Sequence, residues 1–202
     1  MTRVVAIQAG LSETSSSRLL ADRLVASIER QVPGATAEVV DLRPLAHDIT
    51  DAVLSGYAPP RLQHVLDLVG SADALVAVTP VFQASYAGLF KMFVDVLESD
   101  LVIGKPVVLA ATGGTARHSL VIDHALRPLF GYLQALVVPT GVFASPHDWG
   151  SEGASALTER VDRAVGELAS LLGGSGTGRS REDDIDLFSE TMLSISDPPR
   201  QF

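Results

Sequence analysis

Apolar positions along the chain fall into two alternating kinds of run. The first kind is short and nearly continuous: Val4-Val5-Ala6-Ile7, Ala37–Leu42, Ala72–Val78, Pro106–Ala111, and Leu136–Val138 continued by Val142–Ala144. Runs of this length read as strands, and one as continuous as Val4–Ile7 suits a parallel strand covered on both faces. The second kind is spaced for helices. Leu20, Leu24 and Ile28 recur every four residues with Val25 and Val32 beside them, and Leu157, Val161, Ala164, Val165, Leu168 and Leu171 define a clear amphipathic last helix. Arg61–Val69, a segment carrying Leu89, Phe90, Phe93 and Leu97, and a run from about Ser119 to Gln134 complete the helical set. Five strand–helix alternations predict an α/β fold, a doubly wound five-stranded parallel sheet with helices on both faces. Pro139 should interrupt the fifth strand, and residues 43–58, which keep no firm period, are expected as a surface excursion.

Composition then removes whole classes of function. A length of 202 residues suits one α/β domain with a full core. A net charge of −9 disfavours nucleic acid as a partner, because backbone phosphates call for clustered Lys and Arg. The absence of cysteine excludes disulfides, thiolate metal sites and a thiol nucleophile. The histidines, at 47, 64, 118, 124 and 147, have no metal-ligand spacing, so no metal site is expected. No apolar stretch has membrane-spanning length and Met1-Thr2-Arg3 leads straight into the first strand, so the expected location is cytoplasmic. Residues 1–172 form the expected domain. Residues 173–202 open as a Gly/Ser-rich linker and continue with Ile185, Phe188, Met192 and Ile195 at helical spacing. So short a segment does not hold a helix alone; it stays disordered or docks on its own body or a neighbouring subunit.

Chemistry concentrates in three loops that leave strand ends. Ligands of open α/β sheets sit beyond those carboxyl ends, where the strand order reverses. After the first strand, Gly10 is followed by Ser12, Thr14, Ser15, Ser16, Ser17 and Arg18 at a helix start. Hydroxyls and free N–H groups at such a terminus favour phosphate, although one hydroxyl would be explained by capping alone. After the third strand, Thr79 to Tyr86 is expected as a loop in which Pro80 stiffens the turn and Phe82 offers an aromatic face, with backbone N–H and C=O groups able to reach the edge of a flat heterocycle. After the fourth, Thr112-Gly113-Gly114-Thr115 lets the backbone approach closely. A phosphate at one end and a planar ring at the other have the shape of flavin mononucleotide (FMN). The single glycine of the first turn does not make the spaced three of a dinucleotide fingerprint.

These stretches resemble the flavodoxin-like NAD(P)H-dependent FMN reductases, most of all the reductase components of two-component flavin monooxygenases of the alkanesulfonate type. The resemblance is carried by Gly10 to Arg18, Thr79 to Lys91, Ala111 to His118 and Asp123 to Leu129, and covers the chain to about residue 172. It implies strand order 2-1-3-4-5, FMN with NADPH or NADH, and a homodimer or homotetramer with a monooxygenase partner. The implied flavin contacts are Ser12, Ser15, Ser16, Ser17, Arg18, Pro80, Val81, Phe82, Gln83, Ser85, Thr112, Gly113, Gly114 and His118. Histidine at 118 reads equally as a helix-start residue. Hydride passes directly between cofactors, so no catalytic side chain is implied. Two departures matter: relatives commonly carry Gly-Ser-x-Arg where this chain has Gly10-Leu11-Ser12-Glu13, leaving Arg18 as the nearest cation, and Phe82 stands where Tyr is common.

Pro128 cannot donate to the carbonyl of His124, so a kink or π-bulge is expected there, on a helix that the resemblance places at a subunit interface. Two rival readings remain open beside the flavin-supplying reductase. One is a quinone, azo-dye or metal reductase that retains FMN; the other is a non-enzymatic flavodoxin-type electron carrier.

Overall fold

Every main strand sends alternate side chains to opposite faces, and each face has its own core. In the computed structural model, which describes residues 1–12, 14–150 and 153–173, Val4 and Ala6 point to one side and Val5 and Ile7 to the other. These residues lie in β1 (Thr2–Gln8), which leads into α1 (Ser16–Gln31) and β2 (Ala35–Asp41). Then come α2 (Ala46–Ser55), α3 (Pro60–Ser71), β3 (Ala74–Phe82), β4 (Ser85–Tyr86) and α4 (Gly88–Asp95). The remainder is β5 (Pro106–Thr112), α5 (Arg127–Tyr132), β6 (Leu136–Val137), β7 (Val142–Ala144) and α6 (Ala154–Gly173).

The sheet runs β2-β1-β3-β5-β6, with β7 paired to β5 further along. Counting β6 and β7 as one strand broken around Pro139 recovers the expected order 2-1-3-4-5. The sheet has seven strands where five are expected, because β4 adds an antiparallel hairpin on β3 and the fifth strand is split into β6 and β7. One face is covered by α1 and α6, with Leu20, Leu24 and Ile28 packed with Leu157, Val161, Val165 and Leu168. The other is covered by α2 to α5 around Ile49, Leu62, Phe90, Phe93, Leu126 and Phe130. Parallel order reverses between β1 and β3, which places the switch point beside the end of β1.

Two expectations are corrected. The excursion at 43–58 is a 3-10 turn (Arg43–Leu45) followed by α2; its buried stripe is only Leu45, Ile49 and Ala52, too sparse to register as a period. The 79–86 loop is instead the end of β3 and a tight hairpin, with Pro80 in register with Thr112. The 119–134 run carries the expected bulge: Ile122–Leu126 forms a π-helical turn in which the Arg127 N–H bonds to the Ile122 carbonyl. The widening falls just ahead of Pro128, which then sits in the first turn of α5, where no donor is required. The expected linker and tail, from 174 onward, and Glu13 lie outside the described residues; α6 itself runs through Gly173.

Candidate functional site

The phosphate-type cradle is built by one glycine and one cap. Gly10 donates its N–H to Gln8 Oε1 at 2.7 Å. A Cβ on Gly10 would lie 2.1 Å from Ser15 Oγ, so the chain can fold back on the helix only with glycine there. Ser15 caps α1, its Oγ accepting from the Arg18 N–H at 3.1 Å. The N–H groups of Ser16 and Ser17 lie in the first helical turn, where no intrahelical carbonyl is available. No acidic residue occupies that turn, so the positive end of the helix dipole is undiminished there.

The other loops are locked to this one. Ser17 and Thr112, both buried, share a hydrogen bond of 2.7 Å that ties α1 to the end of β5. Gly113 follows; a Cβ there would come within 2.9 Å of the Phe143 ring, and Gly114 next to it faces open space. The buried Thr79 hydroxyl accepts from the Ala87 N–H at 3.0 Å and closes the base of the hairpin. At its tip Gln83 (φ 48°) and Ala84 (φ 65°) are both left-handed without being glycine. The turn holds Phe82 outward, 47% exposed despite its size.

A fourth loop completes the wall. Asp148 accepts from the Ser145 N–H (2.9 Å) and hydroxyl (2.7 Å), and Arg160 donates to its other oxygen. Burial pushes this carboxyl up, but the bonds from Ser145 and Arg160 outweigh it and hold Asp148 below the usual carboxylate range. The turn presents Pro146 and Trp149, whose ring lies 4.8 Å under the Arg23 guanidinium.

Together the four loops enclose a cleft of about 680 Å³. Of the residues expected to contact flavin, it is lined by Ser12, Ser15, Ser16, Ser17, Pro80, Val81, Phe82, Thr112, Gly113 and Gly114. Arg18, Gln83, Ser85 and His118 do not line it. The Arg18 guanidinium turns to Asp22 (2.9 Å) and Asp41 (2.8 Å), and the hydrogen bond to Asp22 leads in raising its pKa. Gln83 is the turn tip, Ser85 pairs with Phe82, and His118 ends a 3-10 turn whose Cβ flanks Gly113. No charged side chain lines the cleft among the described residues.

Leu11, Pro146 and Trp149 also line it, and none of them is among the contacts expected from sequence. The last two have a readable signal: Ser145-Pro146-His147-Asp148 is a capping box right after the fifth apolar block, followed by the chain's single tryptophan. The arrangement suits a ligand with an anion at one end and a flat ring at the other. Hydroxyls and a helix start face the anion; Phe82 and backbone near glycine face the ring. Volume, donors and the aromatic face fit FMN. Among the described residues no group of His, Asp and Glu is placed to hold a metal, and no helix is long and apolar enough to cross a membrane.

Residues 2–150 match the family described as NADPH-dependent FMN reductase. An FMN reductase (NADPH) of Pseudomonas aeruginosa is 38% identical over 174 residues, covering 85% of this chain and 93% of the relative. The NADH-dependent FMN reductase SfnE of Pseudomonas putida is 37% identical over 172 residues, covering 84% and 92%. Among solved structures, an oxidoreductase from Corynebacterium diphtheriae superposes with a TM-score of 0.80 at 43% identity, covering 85% of this chain and 97% of that one.

Proposed function

We propose that this chain, which belongs to the NADPH-dependent FMN reductase family, takes FMN as a substrate that it binds, reduces and releases to a flavin-dependent monooxygenase. The chain is an NAD(P)H-dependent FMN reductase, with FMN and NADPH or NADH as its cofactors. The observation that carries the release reading is the cleft's lack of any charged lining side chain among the described residues. A dianionic phosphate held only by neutral donors and a helix start is held moderately.

In this reading Ser12, Thr14, Ser15 and Ser16 with the first-turn N–H groups of α1 take the phosphate. Ser17 and Thr112 spend their hydroxyls on each other and fix the spacing of the two loops. Gly113 and Gly114 admit the ligand close to the backbone, and Pro80, Val81 and Phe82 form the platform for the ring. Bound FMN supplies the hydride acceptor. The protein orients nicotinamide against it and excludes bulk water, and no side chain is required as a general base for the hydride transfer. Reduced flavin is oxidised by dioxygen in free solution, which makes an oxygen-activating enzyme its natural consumer. We assign the chain to a homo-oligomer as well, with the face carrying the π-turn as the contact.

The test combines gel filtration with steady-state kinetics. Purified protein should lose its flavin on the column, and added free FMN should restore NAD(P)H oxidation with saturation behaviour. A protein that stays yellow through the column and reduces quinones without added FMN would establish the retaining reductase instead.

A further inference from the structure

Helix α1 begins with a cation beside the cradle, and the neighbouring strand removes it. Arg18 is the third helical residue, and its own N–H is bonded to the Ser15 hydroxyl that lines the cleft. A cation there faces the positive end of the helix dipole, so an anion at the helix start is its natural counterion. Its guanidinium instead bridges Asp22 at 2.9 Å and Asp41 at 2.8 Å.

Asp41 is the last residue of β2 and lies in register with Gln8 at the end of β1. Its second oxygen accepts from the Gln8 amide, whose carbonyl in turn holds the Gly10 N–H at 2.7 Å. One carboxylate therefore steadies the backbone of the cradle through Gln8 and draws the nearby cation out of it. All three charged side chains are more than a third exposed, so these pairs add little to stability. Their consequence is positional.

We propose that Asp41, assisted by Asp22, withholds Arg18 from the phosphate end of the cleft and so sets how readily the flavin is released. Asp41 and Arg18 are positioning residues here, not contacts to the reacting atoms. The inference rests on the reading that the FMN phosphate lies at the start of α1.

Binding of FMN and of riboflavin, which lacks the phosphate, is measured on the full chain by flavin fluorescence at low and physiological salt. Wild type is compared with Arg18→Ala, Asp22→Asn, Asp41→Asn and Asp22→Asn/Asp41→Asn. The Asp41→Asn change keeps an oxygen for the Gln8 amide while removing the charge. The double variant should bind FMN about threefold or more tighter, release it more slowly and lose that gain as salt rises, with riboflavin unchanged. Arg18→Ala should leave FMN affinity within about twofold of wild type. Asp22→Asn should shift FMN affinity in the same direction by a smaller factor, which keeps the idea testable if residue 41 tolerates no change. The inference is overturned if Arg18→Ala weakens FMN but not riboflavin, or if the folded aspartate variants bind FMN no tighter. Folded wild type that discriminates FMN from riboflavin in none of these titrations defeats the site reading itself.

Discussion

Two residues show how narrow the tolerances at the cleft are. A methyl group on Gly10 would lie 2.1 Å from Ser15 Oγ and 2.8 Å from Gln8 Oε1, so both the cap and the cradle must move. Gly10→Ala should cost about 1–3 kcal/mol in a urea melt and weaken FMN binding about tenfold or more in a fluorescence titration. An unchanged affinity would place the phosphate elsewhere. Asp148 acts on the opposite wall. Its folded pKa is depressed, so its contribution to stability is present above the unfolded value of about 4 and is lost as pH falls through the lower folded value. Asp148→Asn should therefore be less stable than wild type at pH 7, by about 1–3 kcal/mol, with the gap closing in melts taken below about pH 4. A gap that stays constant down to pH 3 would mean that the bonds to Ser145 act through shape alone. Glycine at 10 is readable from sequence, since a strand end followed by a helix start needs a tight turn. The Asp148 anchor is legible only as a capping pattern, and nothing local says that Arg160, twelve residues on, completes it.

At the scale of elements, the central strands β1, β3 and β5 are legible because each carries a continuous apolar run, as burial on both faces demands. Two elements are not. Helix α2 buries only Ile49 and Ala52 within its ten residues, so its period is carried by too few side chains. The β3–β4 hairpin reads as a loop because Pro80 argues against a strand and Gln83-Ala84 is not turn-forming chemistry. The proline is tolerated because the pairing of β3 with β1 ends at Val78 while β5 still flanks residue 80, and the turn is left-handed at both central residues. Non-glycine residues there store about 1 kcal/mol each. Ala84→Gly should therefore raise stability by about 0.5–1 kcal/mol in chemical denaturation, despite the added freedom of the unfolded chain. If the strain also holds Phe82 in place, the same variant should lower FMN affinity while raising stability. A variant that is destabilised would show that the turn is not left-handed in solution. The π-turn before Pro128 is foreseeable from one missing N–H, because proline's effect on the preceding turn is local and needs no tertiary information.

The whole molecule sets a field that local contacts do not. The chain carries a net charge of −9, and the cleft has no charged lining side chain among its described residues to offset it. Both substrates are anions. Their approach is opposed at long range, and with Arg18 turned to Asp22 and Asp41 no cation among the described residues lines the cleft to make a short-range ion pair that salt would weaken. Screening acts on the first effect, since the Debye length falls from about 30 Å at 10 mM to about 8 Å at 150 mM salt. The value of kcat/KM for FMN, at saturating NAD(P)H, should thus rise about two- to fivefold across that range. Riboflavin as acceptor separates the terms, because it shares the ring and lacks the charge: its kcat/KM should stay flat. Cation-steered enzymes behave in the opposite sense, so a fall in kcat/KM with salt would mean that a positive group reaches the cleft from beyond the described residues or from a neighbouring subunit. The overall acidity is plain in the sequence, but its bearing on turnover is not. It follows only once the fold has assigned Arg18, the cation in the first turn of α1, to two carboxylates instead of to the ligand.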